Sequence, residues 1–357
     1  MSWALYYAND PADRLAWIRQ WEEWPDREVA AHPDYVQLFV QPGEVAACAT
    51  WESRDCHVLF PFILRGLNQL PWGSHLEGMD LESPYGYGGP FSWGVAGGPV
   101  PDFWAAFDEW AASAGIVSAF ARLTLFPDDL FPLLRGEVKV VQKNVVRDLR
   151  LDDASLLRDY AHKVRKNINR ALRSGVHVEF DQDGARLEEF IAVYNSTMDR
   201  RAAADRYRFG PQFFDRLCRS LRGEFVFAHA LADGEVVSAE LVLLSASRAY
   251  SFLGGTLQEA FPLRPNDLLK HEIARWAREQ GKTAYVLGGG YGGEDGIYRY
   301  KKSFAPHGLR DFSVWRYIVN EDGYAEAMAA RRTYSSVAGE DWQEFAPDFF
   351  PAYRAQS

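Results

Sequence analysis

The sequence predicts a mixed α/β protein of two domains, and two observations carry that expectation. At 357 residues the chain is too long for one ordinary hydrophobic core and suits two domains of roughly 150–200 residues each. A pattern of three short apolar runs separated by turn residues also occurs twice, and each time a helical stretch ending at glycine and then one more apolar run follow it.

The first pattern spans Leu38 to Leu64, LFVQPGEVAACATWESRDCHVLFPFIL, and reads as strand, Pro-Gly turn, strand, polar turn, strand. Residues 101–115 (PDFWAAFDEWAASAG) then form a helix stopped at Gly115, with a strand over Ile116 to Phe126. In the second half, Phe225 to Leu253 repeats the order around Asp233-Gly234, a dipeptide suited to a tight hairpin. A helix over 266–281 ends at Gly281, and a strand over Thr283 to Leu287 follows. Between the halves, LDDASLLRDYAHKVRKNINRALRSG reads as one long helix from an Asp152 or Asp153 cap to Gly175. Leu157, Ala161, Val164, Ile168, Ala171 and Leu172 make its apolar stripe, at spacings of three and four. These elements divide the chain into a first domain at 1–148, a second at 149–320, and a helical or irregular tail at 321–357.

Composition narrows the function classes. Hydrophobic residues at 47% and charged residues at 25% are ordinary for a globular protein. The longest apolar run, Val58 to Leu64, is far short of the roughly 20 residues of a membrane helix. The N-terminus has no basic segment followed by an apolar one, which predicts a cytoplasmic location. Three cysteines, Cys48, Cys56 and Cys218, argue against a disulfide framework and fit a reducing compartment. The sequence HEIAR at His271 lacks the second histidine of a zinc-binding HExxH, and no CxxC or GxSxG occurs; neither a metal site nor a nucleophile elbow is expected. A net charge of −10 disfavours DNA and a general tRNA-binding role.

Against that acidic background, Lys163, Lys166, Arg170 and Arg173 lie opposite the apolar stripe of the central helix. The simple alternative is a solvated helix face; the functional one is a grip on a phosphate-bearing ligand such as coenzyme A, a tRNA acceptor end or a nucleotide diphosphate. A second constellation, AYVLGGGYGGEDGIYRYKKSF, runs a strand into Gly288, Gly289, Gly290, Tyr291, Gly292 and Gly293 before Tyr298, Tyr300 and Lys301. It is either a surface turn or a substrate-binding loop in which glycine admits a ligand close to free N–H groups. In the third, VYNSTMDRRAAADRYRFGPQFFDRL, Tyr194 and the phenylalanines suit a core, while Arg200, Arg201, Arg206 and Arg208 suit either the surface or an anion.

KVRKNINRALRSGVHVEF, YNSTM with FFDRL, RPNDLLKHEIARWAREQGK, and LGGG with GIYRYKKSF stand in an order and spacing that resemble FemABX-type proteins and their GNAT-like acyltransferase relatives over residues 150–315. SPYGYGGP at 83–90 resembles the corresponding loop of the first domain, which brings in Tyr85. The resemblance implies an α/β fold of two GNAT-like domains facing a central cleft, an enzyme of the acyltransferase class, and an amide bond formed from an activated donor. Aminoacyl-tRNA or acyl-CoA would be the donor co-substrate, with no tightly bound cofactor; the acceptor would be the amine of a small molecule, a peptide or a peptidoglycan precursor. It implies Lys301 in the catalytic centre with Tyr298 on the same motif, and a pyrophosphate-binding helix start at Asn266. There the chain has LRPND in place of the RxxGxG/A of GNAT enzymes, a departure that weighs against acetyl-CoA. It also lacks the long charged helical arm of some members that use aminoacyl-tRNA. In that scheme Lys301 brings positive charge to the oxyanion or the leaving group, assisted by N–H groups at Gly289 and Gly290. The competing expectation is a binding module for a phosphorylated ligand that has the fold and no chemistry.

Overall fold

The computed structural model describes residues 2–94, 100–201, 208–291, 293–340, 342 and 349–355. The chain forms two compact units, one of residues 1–24, 30–141 and 311–357, the other of residues 25–29 and 142–310. The unit boundaries near 141 and 310 stand against the expected 148 and 320, and the last residues group with the first unit.

In the first unit, β1 (Ser2–Tyr7) leads into α1 (Pro11–Glu23) and the short α2 (Pro33–Gln37). The sheet continues with β2 (Val45–Glu52), β3 (Cys56–Gly66), β4 (Met79–Glu82) and β5 (Phe91–Gly94). After α3 (Val100–Ser113) comes β6 (Ile116–Arg122). The strand expected from Leu38 is not there: Pro33 at the first helical position and the His32 Nδ1 that accepts from Asp34 N–H start a helical turn instead. The outer strand on that side is β1, antiparallel to β2. Side chains alternate across β3: Val58, Phe60, Phe62 and Leu64 pack with Phe103, Trp104 and Phe107 of α3, whereas Leu59 and Ile63 pack with Trp17 and Trp21 of α1.

Strand β7 (Glu137–Asp148) carries the chain into the second unit, where α4 (Asp153–Asp159) and α5 (His162–Arg173) precede β8 (His177–Asp181). Helices α6 (Leu187–Arg200) and α7 (Pro211–Ser220) follow. The meander β9 (Phe225–Ala232), β10 (Glu235–Leu244) and β11 (Arg248–Thr256) then leads to α8 (Pro265–Glu279), β12 (Ala284–Gly288) and α9 (Gly296–Lys302). Asp233 and Gly234 both have positive φ, 51° and 85°, as a two-residue hairpin that follows strand twist requires. One face of β9, through Val226, Ala228 and Ala230, shares a core with Leu268, Ile273 and Ala274 of α8 and Val164 and Ile168 of α5. Its other face sets Phe227 4.8 Å from Phe190 of α6. Strand β13 (Leu309–Ile318) returns the chain to the first unit and pairs with β6 before α10 (Glu321–Ala338).

Each unit contains a parallel strand pair joined through a helix: β4 and β6 across α3, β11 and β12 across α8. In the second unit that pair is short. Pairing runs only from Arg248↔Ala284 to Tyr250↔Val286, although β11 continues to Thr256. Beyond Tyr250 the sheet therefore opens, and residues 251–255 of β11 become partly exposed.

The expected single helix over 151–175 is two helices. Tyr160 and Ala161 are extended, with ψ of 146° and 145°, because the Tyr160 ring is buried against Phe304 at 5.4 Å and Ala161 N–H donates to Ser303 O at 2.9 Å. Arg165 caps the carbonyls this break leaves over, donating to Arg158 O at 2.9 Å and to Tyr160 O. Leu172, expected in the apolar stripe, is 54% exposed.

A fully buried carboxylate ties the C-terminal residues to the first unit. Asp80, 0% exposed, accepts from Arg65 at 2.6 Å, Arg354 at 2.5 Å and the Tyr353 hydroxyl at 3.1 Å. Asp80→Asn removes the charge shared by the buried Arg65 and the partly buried Arg354 and leaves Arg65 only Glu82 at 3.0 Å, so it should lower unfolding free energy by about 3 kcal/mol. Urea unfolding checks this, and removal of residues 350–357 should give a similar loss.

Candidate functional site

Strand β12 ends in Gly288, whose φ of 82° turns the chain out of the sheet. At the next two residues the space that a β-carbon would need is taken. A Cβ on Gly289 would lie 2.4 Å from Asn144 Oδ1, and one on Gly290 would lie 2.4 Å from Asp295 Oδ1. The same Asp295 carboxylate accepts from Tyr291 N–H at 2.7 Å and from Tyr298 N–H at 2.7 Å. One side chain thus folds the glycine turn and caps the start of α9. Gly292 and Arg206 lie outside the described residues.

Helix α9 then places Lys301 over that turn: its Nζ donates to Gly289 O at 2.8 Å, its only partner among the described residues. Below it lies a buried polar group that the sequence did not announce. Glu240 of β10, 3% exposed, pairs with Lys270 of α8 at 2.5 Å and accepts from the Tyr285 hydroxyl of β12. Lys270 Nζ also donates to Ser251 Oγ at 2.8 Å and to the Tyr285 hydroxyl at 3.3 Å. Ser251 is the first residue of β11 past the end of its pairing with β12, so this network lines the opening of the sheet. Burial, with the Lys270 ammonium as second cause, pulls Lys301 down to about 8. Burial and then the Glu240 carboxylate hold the Tyr285 phenol far above its ordinary value.

The start of α8 adjoins the same group. Arg264 caps it in the left-handed region at φ 63°. Asp267 is buried in its first turn, where Asn167 of α5 donates to its carboxylate at 3.1 Å. Burial raises the Asp267 carboxyl despite that bond and despite the nearby cations Arg264 and Lys163. Tyr300 faces Asn266 and Asp267, and burial followed by the Asp267 charge raises its phenol strongly. His271, one turn further on, is lowered to about 4 by burial and then by Arg275, so its imidazole is neutral at pH 7.

The structure therefore brings together Lys301, Gly288, Gly289, Gly290, Asn266 and Lys163. Lys166 and Arg170 stand exposed on α5 with no ion pair or hydrogen bond among the described residues. Tyr298 sits elsewhere than expected: it is 2% exposed within the hydrophobic core, and Tyr300 is the phenol that faces the polar groups. Tyr194 is also a core residue, fully buried, its hydroxyl accepting from Phe209 N–H at 3.2 Å. Arg208 is held by Asp199 at 2.6 Å and Met198 O at 3.1 Å. Tyr291 is exposed, with its N–H engaged by Asp295. Tyr85 belongs to the first unit, where its carbonyl accepts from the Tyr35 hydroxyl at 2.7 Å. Glu240, Lys270 and Tyr285 are the residues that sequence reasoning missed. Among the described residues no group of three or more His, Cys, Asp and Glu could hold a metal ion, and no helix is long and apolar enough to cross a membrane.

If Asp295 is the shared support of the turn and α9, Asp295→Ala should cost roughly 0.5–2 kcal/mol. Hydrogen exchange at the amides of Tyr291 and Tyr298 should accelerate together; protection unchanged at Tyr291 would contradict the shared role.

Comparison with known proteins agrees with this geometry. The family described as acetyltransferase (GNAT) domain matches residues 158–302, the stretch that contains α5, α8, the glycine turn and Lys301. No curated protein sequence matches the chain. Among solved structures, FemX is similar with a TM-score of 0.67 at 14% identity, over 88% of this chain and 98% of that one. The C-terminal domain of a putative lysylphosphatidylglycerol synthetase from Agrobacterium fabrum gives 0.55 at 14% identity, over 91% and 97%. A conserved protein of unknown function from Bacteroides thetaiotaomicron gives 0.56 at 11% identity, over 87% and 99%. The chain thus has the fold of FemX, and its residues 158–302 match the family described as acetyltransferase (GNAT) domain.

Proposed function

We propose that the chain is an N-acyltransferase that moves an aminoacyl or acyl group from an activated donor, aminoacyl-tRNA or acyl-CoA, to the amine of a small or peptide-like acceptor. A peptidoglycan precursor is one acceptor of that class. The observation that carries this reading is Lys301 Nζ held 2.8 Å from the carbonyl of Gly289, inside the matched GNAT domain and beside the opening between β11 and β12. Amide formation needs an acyl carbonyl held within reach of an amine, donors for the oxyanion that develops, and a carrier for the proton that the amine loses. The glycine turn can supply the donors. Among the described residues the N–H groups of Gly289 and Gly290 make no backbone hydrogen bond, and a side chain at either position would collide with Asn144 or Asp295 and disturb the turn.

The donor's phosphate has a place on α5. Lys163, Lys166 and Arg170 project from it into solvent, and Lys163 acts on the Asp267 carboxylate at the start of α8. The helix start itself is a poor seat for pyrophosphate, because the buried Asp267 carboxylate already lies in its first turn. That arrangement gives the departure from RxxGxG/A a physical meaning: phosphate charge belongs on the lysine face, and donor choice follows from what that face can hold.

Amide product should be sought by mass spectrometry with a panel of aminoacyl-tRNA and acyl-CoA donors. Lys301→Ala should reduce kcat/KM by about a hundredfold or more, the loss typical of one oxyanion-site donor or one general acid–base group, with an unchanged far-ultraviolet spectrum. Replacing Lys163, Lys166 and Arg170 by alanine should raise KM for the donor and flatten its salt dependence, by roughly one unit of slope for each phosphate no longer neutralised. Tight binding of a phosphorylated donor with no product from any member of the panel would instead identify a binding module.

A further inference from the structure

Two lysines enter the same buried region from different helices, and their surroundings differ. Lys270 is 7% exposed and fully engaged, by Glu240 Oε2 at 2.5 Å, Ser251 Oγ at 2.8 Å and the Tyr285 hydroxyl at 3.3 Å, with its ammonium 5.6 Å from the Tyr285 ring centre. An ammonium has three N–H donors, and here all three find acceptors. Lys301 is partly exposed toward the opening and has one acceptor, a neutral carbonyl. No carboxylate forms an ion pair with it among the described residues. The charged groups that act on it are Lys270 from α8, Glu240 from β10 and Asp295 from the turn. Glu240 is already shared between Lys270 and Tyr285, and Asp295 between two backbone N–H groups.

We propose that Lys270, fixed by Glu240, Ser251 and Tyr285, is a positioning residue for Lys301, and that Lys301 takes the proton from the attacking amine. This rests on the acyltransferase reading above and replaces the expectation that Lys301 acts by positive charge. As the amine nitrogen bonds to the acyl carbon, its proton passes to the neutral Lys301 Nζ. The bond from that carbon to the ester oxygen or thioester sulfur then breaks, and the same proton moves from Lys301 to the leaving atom. The product is an amide and a protonated leaving group, with Lys301 neutral again. Lys270 touches none of the reacting atoms: its fixed charge makes a second ammonium nearby unfavourable and opposes the pull of Glu240, which favours the protonated form.

The test uses trace acetic anhydride on the intact protein from pH 6 to pH 11, with acetylation of the Lys301 peptide quantified by mass spectrometry. Only the neutral amine reacts, so labelling rises as pH passes the lysine's midpoint. The midpoint should lie near 8 in the natural protein, move toward the ordinary lysine value of about 10.4 in Lys270→Met, and stay low in Lys270→Arg. Should the single variant not fold because Glu240 is left unpaired, Glu240→Gln with Lys270→Met keeps the interior neutral and should still raise the midpoint. An ordinary midpoint in the natural protein, or one unmoved in both Lys270→Met backgrounds, would overturn the positioning role. In the transfer assay kcat/KM should climb through the same midpoint and shift with it in the variants. A rate that falls there would sink the proton-acceptor role. The labelling arm needs no acyl donor, so its outcome is independent of whether the transferase reading holds.

Discussion

The site depends on a carboxylate buried where the sheet comes apart. Glu240 lies on a central strand of the second unit, 3% exposed, and an isolated charge there would be prohibitively unfavourable. Its two oxygens are satisfied by Lys270 from the helix on one face and Tyr285 from β12, two strands away across β11. Three elements, β10, α8 and β12, are thereby tied together at the point where β11 stops pairing with β12. Ladder hydrogen bonds no longer hold the strands beyond Tyr250, and the side-chain network joins Ser251 to Tyr285 in their place.

The consequences of that constraint run outward to the surface. Because β12 leaves the sheet at Gly288, the chain can turn, and the turn is held by Asp295 rather than by strand pairing. Because Asp295 also caps α9, the orientation of that short helix is coupled to the turn, and with it the position of Lys301 above the Gly289 carbonyl. The break between α4 and α5 belongs to the same construction. Tyr160 packs on Phe304 just past α9, Ala161 bonds to Ser303, and the basic face of α5 is set beside the start of α8 as a result. Desolvation and charge then act together: a lysine partly withdrawn from water, near an ammonium that cannot leave, binds its proton weakly.

Two other buried carboxylates are architectural. Glu28, carried by the short N-terminal segment that belongs to the second unit, is bound by Ser245 at 2.6 Å, Tyr250 at 2.8 Å and Arg248. Asp80 gathers Arg65, Tyr353 and Arg354 in the first unit. In both cases the carboxylate fastens a segment distant in sequence. What separates Glu240 from them is its neighbour: a second lysine with an incomplete set of acceptors, beside glycines whose close approach to side chains leaves no room for a β-carbon.

The two-domain α/β class, the second meander with its Asp233-Gly234 hairpin, the glycine-terminated helices and the turn of glycines that follows β12 were all legible in the sequence. Each of these is local: hydrophobic period, turn chemistry and caps act over a few residues and write themselves into composition. What only the tertiary structure decided was which polar residues meet. Glu240 stands inside an apolar strand and Lys270 on the buried side of α8, but their pairing with Tyr285 spans three elements and no spacing rule encodes it. The same holds for the helix break at Tyr160, the inward turn of Tyr298 and the return of the last residues to the first unit. In each, long-range packing overrode a local preference, since burying a ring or satisfying a buried charge outweighs the few tenths of a kcal/mol by which helix propensity separates ordinary residues.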